Sequence, residues 1–496
     1  MAIFSEYFRA FYDQFSFRNN GLDARTFSPG DGSGFVADNA ANDFFSNTVD
    51  AERLSTGLFS LFGTIGYEYS DKYGVDLTLR RDASSRFAES NRWGTFWSVA
   101  GRWNIDQEPF MANSAFDLLK LRASYGITGN QRIVDAGGLL NFFGGPDLTE
   151  DFFGTGPGYQ GLNSIILTQI GNSSLRWESL KTTNIGVDFE VLNSKLRGSF
   201  DVYSRTTDDL FQNRPISAVT SITSQNANVG SLRNSGFDAN LTYNFLSTPG
   251  GLNADVYFNI NYNKQEILEL PNDEGIIREP NGVANTIQRE GGVIGEYWIY
   301  EYVGVNPANG NLLFLNADGE ITENPTPDDR TPTGKNRFPD FQGGFGFNID
   351  YNGVFLETQF NYTSGIDRFD FDYASAVDAT SIGQFRHSED LLRAWENPGD
   401  ITDIPSLTAT NFALEDDSDR FLFDGDYVRL RYVRLGYTLP KSILSTLNVN
   451  RFQIYATAEN LTTFTSWRGF DVEGAGAASR GFPTPRVISF GLDVEF

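Results

Sequence analysis

The sequence predicts an all-β fold: an antiparallel transmembrane β-barrel of about fourteen strands, with long external loops and a short helix. Three observations carry this: an aromatic- and glycine-rich composition, alternating runs long enough to cross a bilayer, and short turns alternating with long polar excursions.

Composition sets the class. Among 496 residues there are 44 Phe, 21 Tyr, 7 Trp and 50 Gly, against 2 Met. Aromatic and β-branched side chains suit a half-buried pleated surface, and glycines punctuate turns. No stretch approaches the roughly 18 apolar residues of a transmembrane helix. The net charge of −26 excludes nucleic acid as a partner, because phosphate binding needs clustered Lys and Arg. These acids read as solvated loops on one side of a membrane.

Chemistry is scarce. The chain has no cysteine, which removes disulfides and thiolate ligands. His387 is the single histidine, cannot build a multi-histidine zinc site, and has no nucleophile elbow around it; in FRHSEDLL it reads as an exposed loop residue. No catalytic residue, cofactor or metal is expected, and the chain is not read as an enzyme.

The alternation comes next. Phe237, Ala239, Leu241, Tyr243 and Phe245 fall on one face, and Asp238, Asn240, Thr242 and Asn244 on the other. After a turn around STPGG, Leu252, Ala254, Val256, Phe258, Ile260 and Tyr262 oppose Asn253, Asp255, Tyr257, Asn259 and Asn261. Successive strand side chains point to opposite faces, so each segment has a greasy side and a polar side. Thr183–Val191, Leu196–Tyr203 and Phe452–Glu459 repeat the pattern, and Asn352-Gly353 joins two more such runs as a hairpin turn. Soluble sandwich strands usually run about five or six residues. These runs match the roughly 9–11 residues of a tilted membrane-crossing strand.

The strands are placed near 56–69, 73–82, 92–104, 117–128, 180–192, 195–207, 235–247, 251–264, 295–306, 341–351, 353–364, 427–439, 450–462 and 486–496. Residues 1–55 form an uncertain strand or loop segment of the barrel, and 56–496 its C-terminal part. Long excursions occupy 129–179, 208–234, 265–340, 365–426 and 463–485, without a separate soluble domain. In SEDLLRAWENPG, Ser388 caps a short helix that stops before Pro398. The last run, Ile488, Phe490, Leu492, Val494 and Phe496, ends on an aromatic, as barrel insertion signals do.

Several segments, in order, resemble the SusC/RagA family of TonB-dependent outer-membrane transporters. They are LFSLFGTIGYEYSDKYGVDLTLRRDASSRFAESNRWGTFWSVAGRWNIDQEPFM at 58–111, LKLRASYGITGNQRI at 119–133 and NSSLRWESLKTTNIGVDFEVLNSKLRGSFDVYSRTTDDLF at 172–211. YVGVNPANGNLLFLNADGEIT at 302–322, DRTPTGKNRFPDFQGGFGFNIDYNG at 329–353 and YVRLRYVRLGYTLP at 427–440 follow. IYATAENLTTFTSWRGFDVE at 454–473 and RGFPTPRVISFGLDVEF at 480–496 complete the set.

The resemblance implies a barrel of roughly 22 strands closed by an N-terminal plug. It also implies a SusD-like surface lipoprotein partner, energy delivered through TonB, and import of oligosaccharides or peptides across the outer membrane. The opening MAIFSEYFRAF lacks a secretory signal, so a fragment is expected, without plug, TonB-contacting segment or first strands. Asp238, Asn240, Asp255, Asn259, Asn261 and Glu357 would line a hydrated lumen. Tyr297, Trp298, Tyr300 and Tyr302, dense in EYWIYEYVG, would be either a substrate platform or an aromatic girdle. Arg80, Arg81, Asp82, Arg86 and Arg92 read as ion pairs in the wall or a loop, and Asn316-Ala317-Asp318-Gly319 as a turn. The alternative is a soluble surface β-protein that binds glycans, an adhesin or a propeller, but no blade-length repeat supports it.

Overall fold

The computed structural model describes residues 1–18, 48–132, 146–157, 163–217, 219, 222–248, 251–279, 284–440, 442–444, 449–469, 471–474 and 483–496. Pro249-Gly250 of the expected turn, the middle of segment 1–55, part of the 463–485 excursion and the start of the last quoted motif lie outside them.

One antiparallel sheet dominates. Its fourteen strands are β1 (Ala2–Arg18), β2 (Thr48–Tyr69), β3 (Tyr73–Ser84), β4 (Trp93–Asn104), β5 (Phe116–Asn130), β6 (Glu178–Val191) and β7 (Leu196–Asp208). They continue as β8 (Ser231–Ser247), β9 (Asn253–Glu269), β10 (Phe341–Tyr351), β11 (Val354–Ser364), β12 (Tyr427–Thr438), β13 (Arg451–Thr465) and β14 (Val487–Glu495). Neighbours in sequence are neighbours in the sheet, with β1 and β14 at its edges. Such a meander needs only hairpins, which the turn chemistry supplies: Asn352 at φ 50° and Gly353 at φ 86° join β10 to β11.

The expected count of fourteen holds, but one member changes. Residues 295–306 are not a wall strand; they form two short strands, Glu296–Ile299 and Tyr302–Val305, in separate small sheets. All four residues of the first are buried, so the apolar run serves an enclosed core instead of a two-faced wall. The strand that replaces it is β1, in the segment read as uncertain.

Register fixes the faces. Ile349, Leu356, Leu435, Ala456 and Phe490 pair across β10 to β14 on one side. On the other side, Asp255, Asn348, Glu357, Arg434, Thr457 and Ser489 run across β9 to β14. The apolar row is bare: Leu435 is 53% exposed and Phe490 84%. A single layered sheet with its greasy face uncovered excludes the soluble sandwich, whose apolar faces pack together.

Glycines on the polar face receive aromatic rings. Phe355, Gly436, Tyr455 and Gly491 share one register row. A Cβ on Gly436 would meet the Phe355 ring at 2.3 Å, and Arg434 lies 5.0 Å from that ring and 4.2 Å from Tyr455. Tyr257 lies over Gly346 in the same way, its hydroxyl donating to the Thr358 carbonyl at 3.0 Å.

Short turns close one end of the sheet, while the other end carries the excursions. Residues 265–340 and 365–426 build a body with its own apolar core: Tyr297, Ile299, Phe369, Val377, Ile404 and Phe421 are buried together. It contains a four-stranded sheet, a three-stranded sheet and α1 (Phe371–Val377), whose first turn is capped by Asp370 accepting from the Tyr373 amide at 2.9 Å. The helix expected at SEDLLRAWENPG is a single 3-10 segment, Glu389–Arg393, capped by Ser388 as anticipated. His387 is half-buried, with both ring nitrogens shielded from water, which corrects its reading as an exposed residue.

Candidate functional site on the polar face and the loop body

The polar face is a continuous ladder of paired groups. Asn261 donates to Asp238 at 2.7 Å, Asn348 donates to Asp255 at 2.9 Å, and Asn259 accepts the Gly344 amide at 2.9 Å. Asn240 reaches Ser199 at 3.3 Å, and Glu357 faces Arg434 at 3.6 Å. All six residues singled out from the sequence thus sit on the non-apolar face.

Stronger groups on the same face escaped that reading. Arg122 on β5 grips Asp188 at 2.8 Å and Asp201 at 2.9 Å, bridging β6 and β7, while Arg102 pairs with Glu68 at 2.6 Å. Charge-assisted pairs of this kind tie neighbouring strands where water and counter-charge are both present. Lys120, Asp188, Glu190, Arg197 and Asn240 line a cavity of about 310 Å³ near the short-turn end. The signal that could have found them is the alternation in KLRASYG, where Lys120 and Arg122 oppose Leu121, Ala123 and Tyr125.

The aromatic cluster is assembled, but inside the loop body. Tyr297, Trp298 and Tyr300 are buried and Tyr302 is half-buried. The Trp298 indole donates to the Arg330 carbonyl at 3.0 Å, and the Arg330 guanidinium lies 5.2 Å from Trp298 and 4.9 Å from Tyr300. Arg420 lies over Tyr302 at 5.6 Å. Burial pushes the hydroxyls of Tyr297, Tyr300 and Tyr302 up from their ordinary values. As placed, these rings join the two excursions, with arginines over Trp298, Tyr300 and Tyr302 and with Tyr297 packed in the apolar core.

Buried ion pairs flank them. Arg330 binds Asp417 at 2.5 Å, and Asn285 donates to the same carboxylate. Glu415 and Arg420 pair where both side chains are almost fully enclosed. Burial, against the pull of Arg420, pushes the Glu415 carboxyl up to about 8. In the last excursion burial opposes ionisation of Asp471, yet hydrogen bonds from Arg429 and Thr484 hold it well below the usual carboxylate range. Among the described residues no cluster of His, Cys, Asp and Glu could hold a metal ion.

The terminal strand presents Phe490, Leu492 and Phe496 outward, at 84%, 66% and 88% exposure, while Val494 is half-buried.

Comparison with known proteins agrees with this geometry. Residues 4–289 match the family model described as TonB dependent receptor-like, beta-barrel. The chain is 31% identical to TonB-dependent receptor P39 of Formosa agariphila, over 92% of this chain and 48% of that protein. It is 26% identical to TonB-dependent receptor SusC of Bacteroides thetaiotaomicron, over 88% of this chain and 44% of that one. The solved RagAB peptide importer in its 'open-open' state superposes with a TM-score of 0.85 at 25% identity, over 100% of this chain and 52% of that one. The chain therefore spans about half the length of the curated relatives it matches. The family is one of outer-membrane receptors and transporters and not an enzyme class. With apolar rows on one face of its sheet, a charged ladder on the other and its match to that family model over more than half its length, this chain belongs to the TonB-dependent receptor β-barrel family.

Proposed function

We propose that this chain forms the wall and much of the external surface of an outer-membrane importer of oligosaccharides or peptides. In this reading the whole receptor works with a SusD-like surface lipoprotein and is energised through TonB acting on parts outside this chain. The observation that carries it is the two-faced wall. Fourteen strands form one sheet with apolar rows on one face, and Asp238, Asn240, Asp255, Asn259, Asn261 and Glu357 share the opposite face, which in this reading lines a wet interior path. In lipid every backbone polar group must be paired, so a sheet of this kind spans only as part of a closed barrel. Cargo passes unchanged, and no residue performs chemistry on it.

Uptake by the native cells tests this. Disrupting the gene should abolish accumulation of a labelled oligosaccharide or peptide, complementation should restore it, and collapsing the proton-motive force should block it. A product that is soluble and monodisperse without detergent would overturn the reading, as would cargo uptake indifferent to disruption. Cargo recovered cleaved would point to an enzyme instead.

A further inference from the structure

We infer that the two longest excursions form one rigid platform fixed to the rim of the wall, so that neither gates the lumen by moving alone. The functional part of this rests on the importer reading; the mechanical part stands on hydrogen bonds. Loops of about 70 and 60 residues with solvated backbones would be mobile on their own. Here their backbones are knitted together. The Ala284 amide donates to the Asp416 carbonyl at 2.9 Å and the Tyr300 amide to the Asp417 carbonyl at 2.9 Å, while the Asp419 amide returns a bond to Tyr300 at 3.0 Å. Asp419 also accepts the Tyr302 amide at 2.8 Å.

Farther out, Asn411 acts as a three-way fastener. Its Oδ1 accepts the Leu312 amide at 3.0 Å, and its Nδ2 donates to the carbonyls of Leu312 at 2.9 Å and Glu323 at 2.8 Å. The Gly399 amide donates to the Pro307 carbonyl at 2.7 Å, the Ser406 amide donates to Gly310 at 2.9 Å, and the Trp395 indole also reaches Pro307 at 3.1 Å. Between these two seams lies the shared apolar core, with residues from both excursions. One excursion cannot leave without exposing both sides of that core.

The base is equally fixed. Ile267 at the end of β9 exchanges backbone hydrogen bonds with Gly291 and Gly292 at 2.8 and 2.9 Å. Asp426, just before β12, accepts from the Ser364 hydroxyl at 2.5 Å and the Gly365 amide at 2.7 Å. The roots of the two excursions are thus pinned at the ends of β9 and β11, which removes a hinge there.

Hydrogen–deuterium exchange on the intact receptor in detergent decides this. Peptides covering 284–323 and 365–419 should open together, in one correlated, bimodal exchange event. Asn411→Ala should speed exchange by about tenfold in both excursions, the effect of losing about 1.4 kcal/mol of buried hydrogen bonding, and leave peptides of β9, β10 and β11 unchanged. Independent exchange of the two excursions in the unmutated receptor would overturn the platform, as would acceleration confined to one of them in Asn411→Ala. Uptake plays no part in this readout, so the platform and the importer reading fail separately.

Discussion

The wall and the loop body are the same chain turned inside out. In the wall, Leu435 and Phe490 stand on the exposed apolar face, and Arg122, Asp188 and Asp201 pair on the opposite, polar face. In the body, Ile299 and Phe421 are fully enclosed, and the charges lie around them. Residues 265–340 hold fourteen acidic against five basic residues, and 365–426 fifteen against four, so 20 of the 26 net negative charges sit on these two excursions. Both regions obey one rule, that apolar surface leaves water. What differs is the neighbour outside. Hydrocarbon surrounds the wall and water surrounds the body, so the same side chains settle in opposite places.

The sharpest break of that comparison is Phe421→Ala. Its ring is fully buried and packs against Phe369 at 6.0 Å and Tyr373 at 5.8 Å. Emptying such a site costs about 3–5 kcal/mol. The body should become sensitive to dilute protease, while the wall keeps its heat-modifiable migration on gels. Loss of both together would show that body and wall are one cooperative unit.

Next in size is Leu435→Arg, on the outer row between Leu356 and Ala456. A lipid-facing arginine near the midplane costs about 2–4 kcal/mol, read by urea titration of the receptor refolded in bilayers. Asn348→Arg, on the inner row between Asp255 and Glu357, should cost under about 1 kcal/mol, because inward charges are hydrated and here find partners. Equal costs at the two positions would erase the distinction between faces.

The inverted arrangement also explains what could be read in the sequence. Wall strands present one apolar face, so Phe237 to Phe245 and Asp238 to Asn244 alternate visibly, and alternation, run length and turn signals together place thirteen of the fourteen strands. Strand β1 was obscured because Phe4 and Phe8 stand on the inward face as well: Phe4 stacks on Phe62 at 5.0 Å, and Phe62 receives Arg80. The Glu296–Ile299 strand misled for the opposite reason, since burial on both sides lets apolar residues run consecutively, as a wall segment with aromatic interior would. Nothing local in Asn411, Arg330 or Asp417 announces a fastener. Their long-range partners lie 87 to 132 residues away, and only the fold brings them together.

A smaller effect sharpens the account of the wall itself. Adding a methyl at Gly346 places carbon within 2.1 Å of the Thr358 carbonyl and 2.5 Å of the Tyr257 hydroxyl. Overpacking of this kind costs about 1–3 kcal/mol. Gly346→Ala should therefore lower the urea midpoint of the wall, and Tyr257→Phe, which loses a hydrogen bond but keeps the ring, should lower it less.

The last contrast is set by protons. Burial raises the folded pKa of Glu415 from 4.5 to about 8, against the pull of Arg420 and with Asp416 and Asp378 adding like charge. A carboxyl with a raised folded pKa favours the folded state while protonated; that contribution is complete below the unfolded value and is lost as pH rises through the folded one. Asp471, held low by Arg429, has the opposite sign: its contribution is present above the unfolded pKa and is lost as pH falls toward the folded one. Limited proteolysis across pH should then cut the 365–426 excursion more readily on the alkaline side of neutrality, and the segment around Asp471 more readily in acid. Glu415→Gln should flatten the alkaline limb alone, because a neutral amide has no proton to lose. If both segments loosened in acid together, net charge on the body, and not the burial of one carboxyl, would govern its response.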